Sequence, residues 1–285
     1  MPPARPYQRD GCETVAYRNP AGEEIVFRMR LGAVARMMPP VKVTTVPLPG
    51  QDGSRMLGAY HLERPVAVPV VAPGTILDRA ELRRWGRVLD PAKGEGTLTV
   101  VDGPSPGRYL RCAYDAGLED LDEAASVGSA VLLFRAAYPY WLDALEQITT
   151  VTQGAAVTRW FPFLPLTLGA SDAFAAMTIT VAGDVKSWPI VTVTGPGQQI
   201  TARNLTTGKL WTVQATLAAG SQLIVDTRPG RKLVTIDGAN AYPLLTADSS
   251  LWPLEPGPNR VELAVALTSP ASVATFVWRN AWLAA

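Results

Sequence analysis

The sequence predicts a mainly β protein of two domains, with one helix in the first. Three observations carry that expectation. Proline and glycine together make 49 of 285 residues, about 17%, against a usual share near 12%, so turns are frequent. Short runs of alternating or β-branched residues recur along the chain, as half-buried strands require. The helical period occurs in one place, residues 78–89.

The two halves differ in composition. Residues 1–145 hold 17 Lys+Arg and 17 Asp+Glu, whereas residues 146–285 hold 9 and 8. Two tryptophans, Trp85 and Trp141, fall in the first part. Six fall in the second: Trp160, Trp188, Trp211, Trp252, Trp278 and Trp282. These shifts place a boundary near 143–160 and give domains 1–145 and 146–285.

In the first half, 24–30 alternates as a short strand. Gln51-Asp52-Gly53-Ser54 has the composition of a turn. The stretch 61–71 is apolar but broken by Pro65 and Pro69, which suits an edge strand or an arm. The helix at 78–89 has a capping-box start, Asp78-Arg79-Ala80-Glu81. Leu82, Trp85, Val88 and Leu89 follow as one apolar stripe, and Pro91 stops it. Its other face carries Arg83, Arg84 and Arg87. Strand-like runs follow at 96–101, 108–114 and 127–137.

In the second half, strands are expected at 190–194, 210–216, 222–226, 232–237, 261–267 and 272–278. Turn pairs separate several of them: Thr207-Gly208, Ala219-Gly220, Pro229-Gly230 and Asp237-Gly238. Their regular spacing, 12, 10 and 8 residues, is the signature of a β-sandwich or barrel.

Composition excludes several functions. Hydrophobic residues are 47% and charged residues 18%, so the chain is globular rather than disordered. A net charge of +1 lacks the basic excess of a nucleic-acid binder. Arginine outnumbers lysine 21 to 5, which suits interfaces, because guanidinium groups pair bidentately and stack on rings. The opening Met1-Pro2-Pro3-Ala4-Arg5-Pro6 lacks the apolar core of a signal peptide. The longest apolar run, 130–142, is interrupted by Arg135 and is too short to span a bilayer. Cys12 and Cys112 are therefore expected as free thiols in a reducing compartment.

The chemistry-bearing motifs resolve as turns. Gly103-Pro104-Ser105-Pro106-Gly107 matches a hydrolase elbow in letters only. The residue after that serine must supply an oxyanion N–H, and Pro106 has none. The single histidine, His61, also precedes Ser105, and no nucleophile motif lies beside it. One histidine and two cysteines cannot build a zinc site within one chain. Gly195-Pro196-Gly197 and Gly94-Glu95-Gly96 do not continue as phosphate-binding fingerprints. Asp226 and Asp237 could form an acidic pair, but Asp237-Gly238 reads first as a type I′ turn. Asn204-Leu205-Thr206 fits a glycosylation sequon that stays bare without export. No catalytic, cofactor-binding or metal-ligating residue is assigned, and no cofactor.

The ordered motifs resemble one family, the siphophage distal tail proteins. In the first half they are Pro49-Gly50-Gln51-Asp52-Gly53-Ser54, Leu89-Asp90-Pro91, Gly94-Glu95-Gly96-Thr97-Leu98, Tyr114-Asp115-Ala116-Gly117-Leu118-Glu119 and Tyr138-Pro139-Tyr140-Trp141. In the second they are Ala182-Gly183-Asp184, Trp188-Pro189-Ile190-Val191, Asn204-Leu205-Thr206-Thr207-Gly208, Val225-Asp226-Thr227, Asp237-Gly238-Ala239-Asn240 and Leu254-Glu255-Pro256-Gly257-Pro258-Asn259. The resemblance implies an N-terminal β-barrel-like domain with one α-helix and a C-terminal galectin-like β-sandwich, or jelly roll. It implies a structural virion protein, not an enzyme, that is assembled in the host cytoplasm. Six copies would form a ring with a central channel, joining the tail tube to the tail-tip or baseplate proteins. The implied partners are further copies of the chain, the tail tube protein, the tail-tip proteins and the tape measure protein, with neither sequence-specific nucleic acid nor membrane insertion. The alternative is a glycan-binding sandwich, for which the Trp-rich second half would supply the aromatic platform. Ring contacts are expected mostly from residues 1–145. There Arg83, Arg84 and Arg87 could meet the acidic run Glu119-Asp120-Leu121-Asp122-Glu123 of the next copy.

Overall fold

A computed structural model describes residues 14–28, 36–71, 79–101, 107–119, 129–152, 173–266 and 271–285. The chain forms two compact units. The first is Met1–Ala144 together with Trp282–Ala285, and the second is Leu145–Ala281.

The first unit contains strands β1 (Thr14–Arg18), β2 (Glu24–Arg28), β3 (Val41–Pro47), β4 (Ser54–His61) and β5 (Arg64–Val71). Helix α1 (Arg79–Leu89) and a 3-10 turn at Pro91–Lys93 follow, then β6 (Gly96–Val101), β7 (Arg108–Ala116), β8 (Ser129–Ala136) and β9 (Trp141–Asp143). The main sheet is antiparallel in the order β2-β1-β6-β7-β8-β5. Tyr17 of β1 and Phe134 of β8 lie three strands apart in that order, about 14 Å in a flat sheet. Their ring centroids are 5.1 Å apart. The sheet therefore curls over its own core, barrel-like, and among the described residues no ladder joins β2 to β5.

Helix α1 packs into the same core as the curled sheet. Trp85, Val88 and Leu89 of the expected stripe are buried, and Leu82 is half-buried. Trp85 meets Phe27 of β2 edge to face at 5.6 Å. Asp78, the expected cap, lies outside the described residues. The helix stops where Pro91 breaks the backbone pattern, and Asp90 Oδ1 accepts from the Ala92 N–H at 3.0 Å. The stretch 61–71 is not one strand: His61 closes β4 and β5 begins at Arg64. Its second part is an edge strand, as the prolines require. At Gly117 the backbone has φ 106°, and a Cβ there would collide with the Val131 carbonyl oxygen of β8. Only glycine fits there, one residue past β7 and beside the irregularity of the β7–β8 ladder at Tyr114–Ala116.

The second unit contains β10 (Gln147–Thr152), β11 (Ala173–Val181), β12 (Ile190–Thr194), β13 (Gly197–Asn204), β14 (Lys209–Leu217), β15 (Gln222–Asp226), β16 (Leu233–Ile236) and β17 (Ala239–Asn240). A 3-10 turn at Tyr242–Leu244, β18 (Gly257–Ala266) and β19 (Val273–Trp278) follow. Two antiparallel sheets, β10-β19-β12-β15-β16-β17 and β11-β18-β13-β14, share one core. Val191, Val225 and Phe276 come from the first, and Ile200, Trp211 and Leu263 from the second. This is a β-sandwich. Asp237 and Gly238 have φ 49° and 82° between the paired Ile236 and Ala239, the positive values a type I′ turn requires. The last strand, β20 (Ala281–Trp282), pairs with β9.

Candidate assembly surface

The structure disperses the polar residues that sequence motifs singled out. His61 is half-buried at the end of β4, its Nδ1 2.8 Å from the Tyr140 hydroxyl. Cys112 is a free, fully buried thiol, and burial pushes its pKa up. Cys12, Ser105 and Trp160 lie outside the described residues. Asp226 and Asp237 sit at opposite ends of the β15–β16 ladder. Asp226 accepts from the Arg228 side chain through both carboxylate oxygens, and Asp237 Oδ1 accepts from the Gln222 N–H at 2.8 Å. Among the described residues no cluster of three or more His, Cys, Asp or Glu is arranged to hold a metal ion.

Asn204 of the sequon is buried. Its Oδ1 accepts from the N–H groups of Thr206 and Thr207, and its Nδ2 donates to Asn259 Oδ1 at 3.3 Å. Trp211, Trp252 and Trp278 are core residues, with no ring face free for a ligand, and Trp188 is half-buried. The charged patches are partly satisfied inside the unit. Arg84 binds Glu81 at 2.8 Å and donates to the Glu24 carbonyl at 2.8 Å. Glu119 accepts from Tyr114 Oη and the Gly117 N–H. Residues 120–123 lie outside the described residues. Arg83 and Arg87 are exposed.

The surface best fitted for assembly is one the sequence reading left out. β3 and β4 form a two-stranded sheet of their own, with Val41 opposite His61 and Pro47 opposite Ser54. Every residue of β3 is exposed, and so is every residue of β4 up to its last. Met37, Val43, Met56, Leu57 and Tyr60 all present large apolar side chains to solvent. An isolated hairpin is marginal in water and needs packing against other elements. The overlooked signal was the pattern VKVTTVP before the Pro-Gly-Gln-Asp-Gly turn. It is β-branched but does not alternate, because the strand buries neither face in its own chain.

Residues 182–282 match the family model described as siphovirus-type tail component, C-terminal domain. No curated protein matches the chain. Among solved structures, the SPP1 Dit protein, titled a paradigm of the hub adsorption apparatus in phages infecting Gram-positive bacteria, aligns with TM-score 0.70 and 16% identity. That alignment covers 95% of this chain and 99% of that one. A chain of the phage P2 baseplate, in its activated conformation with calcium, aligns with TM-score 0.51 and 11% identity over 94% of this chain and 98% of that one. The same baseplate with strontium gives 0.51 and 12%, with the same coverage. Over residues 182–282 the chain thus matches the siphovirus-type tail component family, and over nearly its whole length it has the fold of the SPP1 Dit protein.

Proposed function

We propose that the protein is a structural component of a siphophage tail tip, located in the virion and assembled in the host cytoplasm. Six copies form a ring with a central channel. The ring joins the tail tube to the tail-tip or baseplate proteins, and the tape measure protein is a further neighbour. The second unit is a galectin-like jelly roll that serves as scaffold, and the chain carries out no catalysis. One observation carries this reading: a tail-component match over residues 182–282 sits in a chain that has the Dit fold over 95% of its length. The exposed apolar hairpin of the first unit supports it, since that surface is suited to burial in an assembly.

The test is imaging of the purified full-length chain by negative stain, with its mass from light scattering. Rings with a central hole and a mass of six chains are expected. Monomers at every concentration contradict the ring.

A further inference from the structure

We infer that the β3–β4 hairpin of one copy packs across the outer face of β5 and β8 on the next copy, over Ala67, Pro69, Val131 and Leu133. The inference rests on the ring reading and names the contact that closes it.

The receiving strip follows from register. Ala67 faces Leu133 and Pro69 faces Val131 across the β5–β8 ladder. Their neighbours Val66, Val68, Leu132 and Phe134 are buried, so alternation turns these four outward. Val131 is 51% exposed and Leu133 37%. The first unit has one other exposed large apolar side chain outside residues 37–62 among the described residues, Val26. The apolar hairpin and this strip are therefore the two surfaces that need cover. They lie on different elements, so a copy that presents its hairpin to a neighbour keeps its own strip free for another. Such a head-to-tail contact can close into a ring, whereas hairpin against hairpin stops at a dimer.

Hydrogen-bonded strand addition is disfavoured at the β5 edge of the main sheet. Pro65 and Pro69 cannot donate to β8, so their backbone faces the open side of β5. Two N–H groups are missing there. On β2 the Glu24 carbonyl is already occupied by Arg84. Docking by side chains on a face needs none of these backbone groups.

Charge agrees with the apolar match. The strip is bordered by Glu63 and Asp115, two carboxylates sharing the single cation Arg135. On the hairpin, Lys42 and Arg55 make no ion pair among the described residues, with Asp52 at the turn. Docking the hairpin on the strip brings its two cations toward the excess carboxylate.

The experiment uses full-length chains carrying Leu57→Glu, Val131→Glu or, as a control on the remaining exposed apolar residue, Val26→Glu. Mass is read by light scattering and folding by the thermal midpoint. Leu57→Glu and Val131→Glu are expected to fall to monomer with unchanged midpoints, while Val26→Glu keeps the wild-type mass. In a Cys12→Ser background, a chain carrying both Leu57→Cys and Val131→Cys should give a ladder of covalent oligomers with a short bis-maleimide, and neither single variant should. Rings that survive both glutamate changes, with no ladder from the paired cysteines, overturn this contact and leave the ring standing. A wild-type chain that is monomeric throughout overturns both.

Discussion

Arg108 lays its guanidinium over Trp282, 4.0 Å from the ring centroid. The same side chain donates to the Ala284 carbonyl at 2.7 Å and stands 3.8 Å from Asp143, which accepts from the Trp282 indole N–H at 2.7 Å. Arg64 donates to the Leu283 carbonyl at 2.7 Å, and the Ala285 N–H donates to the Arg36 carbonyl at 3.2 Å. Residues 282–285 are thus held one after another in the first unit, although 137 positions of the second unit separate them from Ala144.

Trp282→Ala should weaken the first unit by about 2–3 kcal/mol, since it removes a half-buried ring, a cation–π contact and the donor to Asp143. Arg108→Lys should recover little of the contact, because an ammonium cannot stack its plane on the indole. Hydrogen exchange at the amides of β7 and β9 checks both, with faster exchange expected there than in β12 or β18.

Tyr17 and Tyr138 have their pKa raised to about 12, each mainly by burial, with further increases from Cys112 beside Tyr17 and from Tyr140 beside Tyr138. Between pH 10 and 12 the folded state then keeps protons that the unfolded chain has released. Stability is full below pH 10 and falls as pH rises through that window, by about 2 kcal/mol for each tyrosine. Absorbance at 295 nm should show these two titrating only as the first unit unfolds. Cys112 should resist a thiol reagent until the same transition.

Burial alone would push the Asp226 carboxyl up, but the Arg228 side chain and backbone N–H outweigh it and hold it below the usual carboxylate range. Its stabilising effect is present at neutral pH and is lost as pH falls through that lowered value. Arg228→Ala leaves a nearly buried carboxylate short of its partner and should cost about 1–3 kcal/mol at pH 7. Acid titration of the variant should show a smaller further loss than wild type.

Asn259 binds its own turn through a full amide. Its Oδ1 accepts from the Glu255 N–H at 2.8 Å, and its Nδ2 donates to the carbonyls of Glu255 at 2.7 Å and Gly257 at 3.0 Å. Asn259→Ala should destabilise the sandwich by about 2–3 kcal/mol, leaving buried backbone groups unpaired. Asn259→Asp should be at least as harmful, because an oxygen would face two carbonyls. Calorimetry of the full-length chain reads both.

Much of the architecture was legible because it rests on local rules. Helix α1 follows from its apolar stripe and Pro91, β6, β12 and β15 from alternation, and the turn at Asp237-Gly238 from its positive φ demand. The pairing of motifs was not legible. Asn204 and Asn259 stand 55 positions apart, and each reads alone as a turn residue until the sandwich brings the two amides together. β11 and β13 also passed unread, because Ala173–Val181 is rich in alanine and threonine and Gly197–Asn204 is rich in polar residues.

The sequence by itself determined the strand-rich class, helix α1 and the change in composition near residue 145, since each depends on residue type and near-neighbour spacing. Tertiary structure alone decided that the first sheet curls over its own core, that Trp282–Ala285 returns to the first unit, and that β3 and β4 stand uncovered. These depend on contacts between residues far apart in the chain. A one-dimensional pattern records which side chains seek burial, but not which distant surface, in this copy or another, provides it.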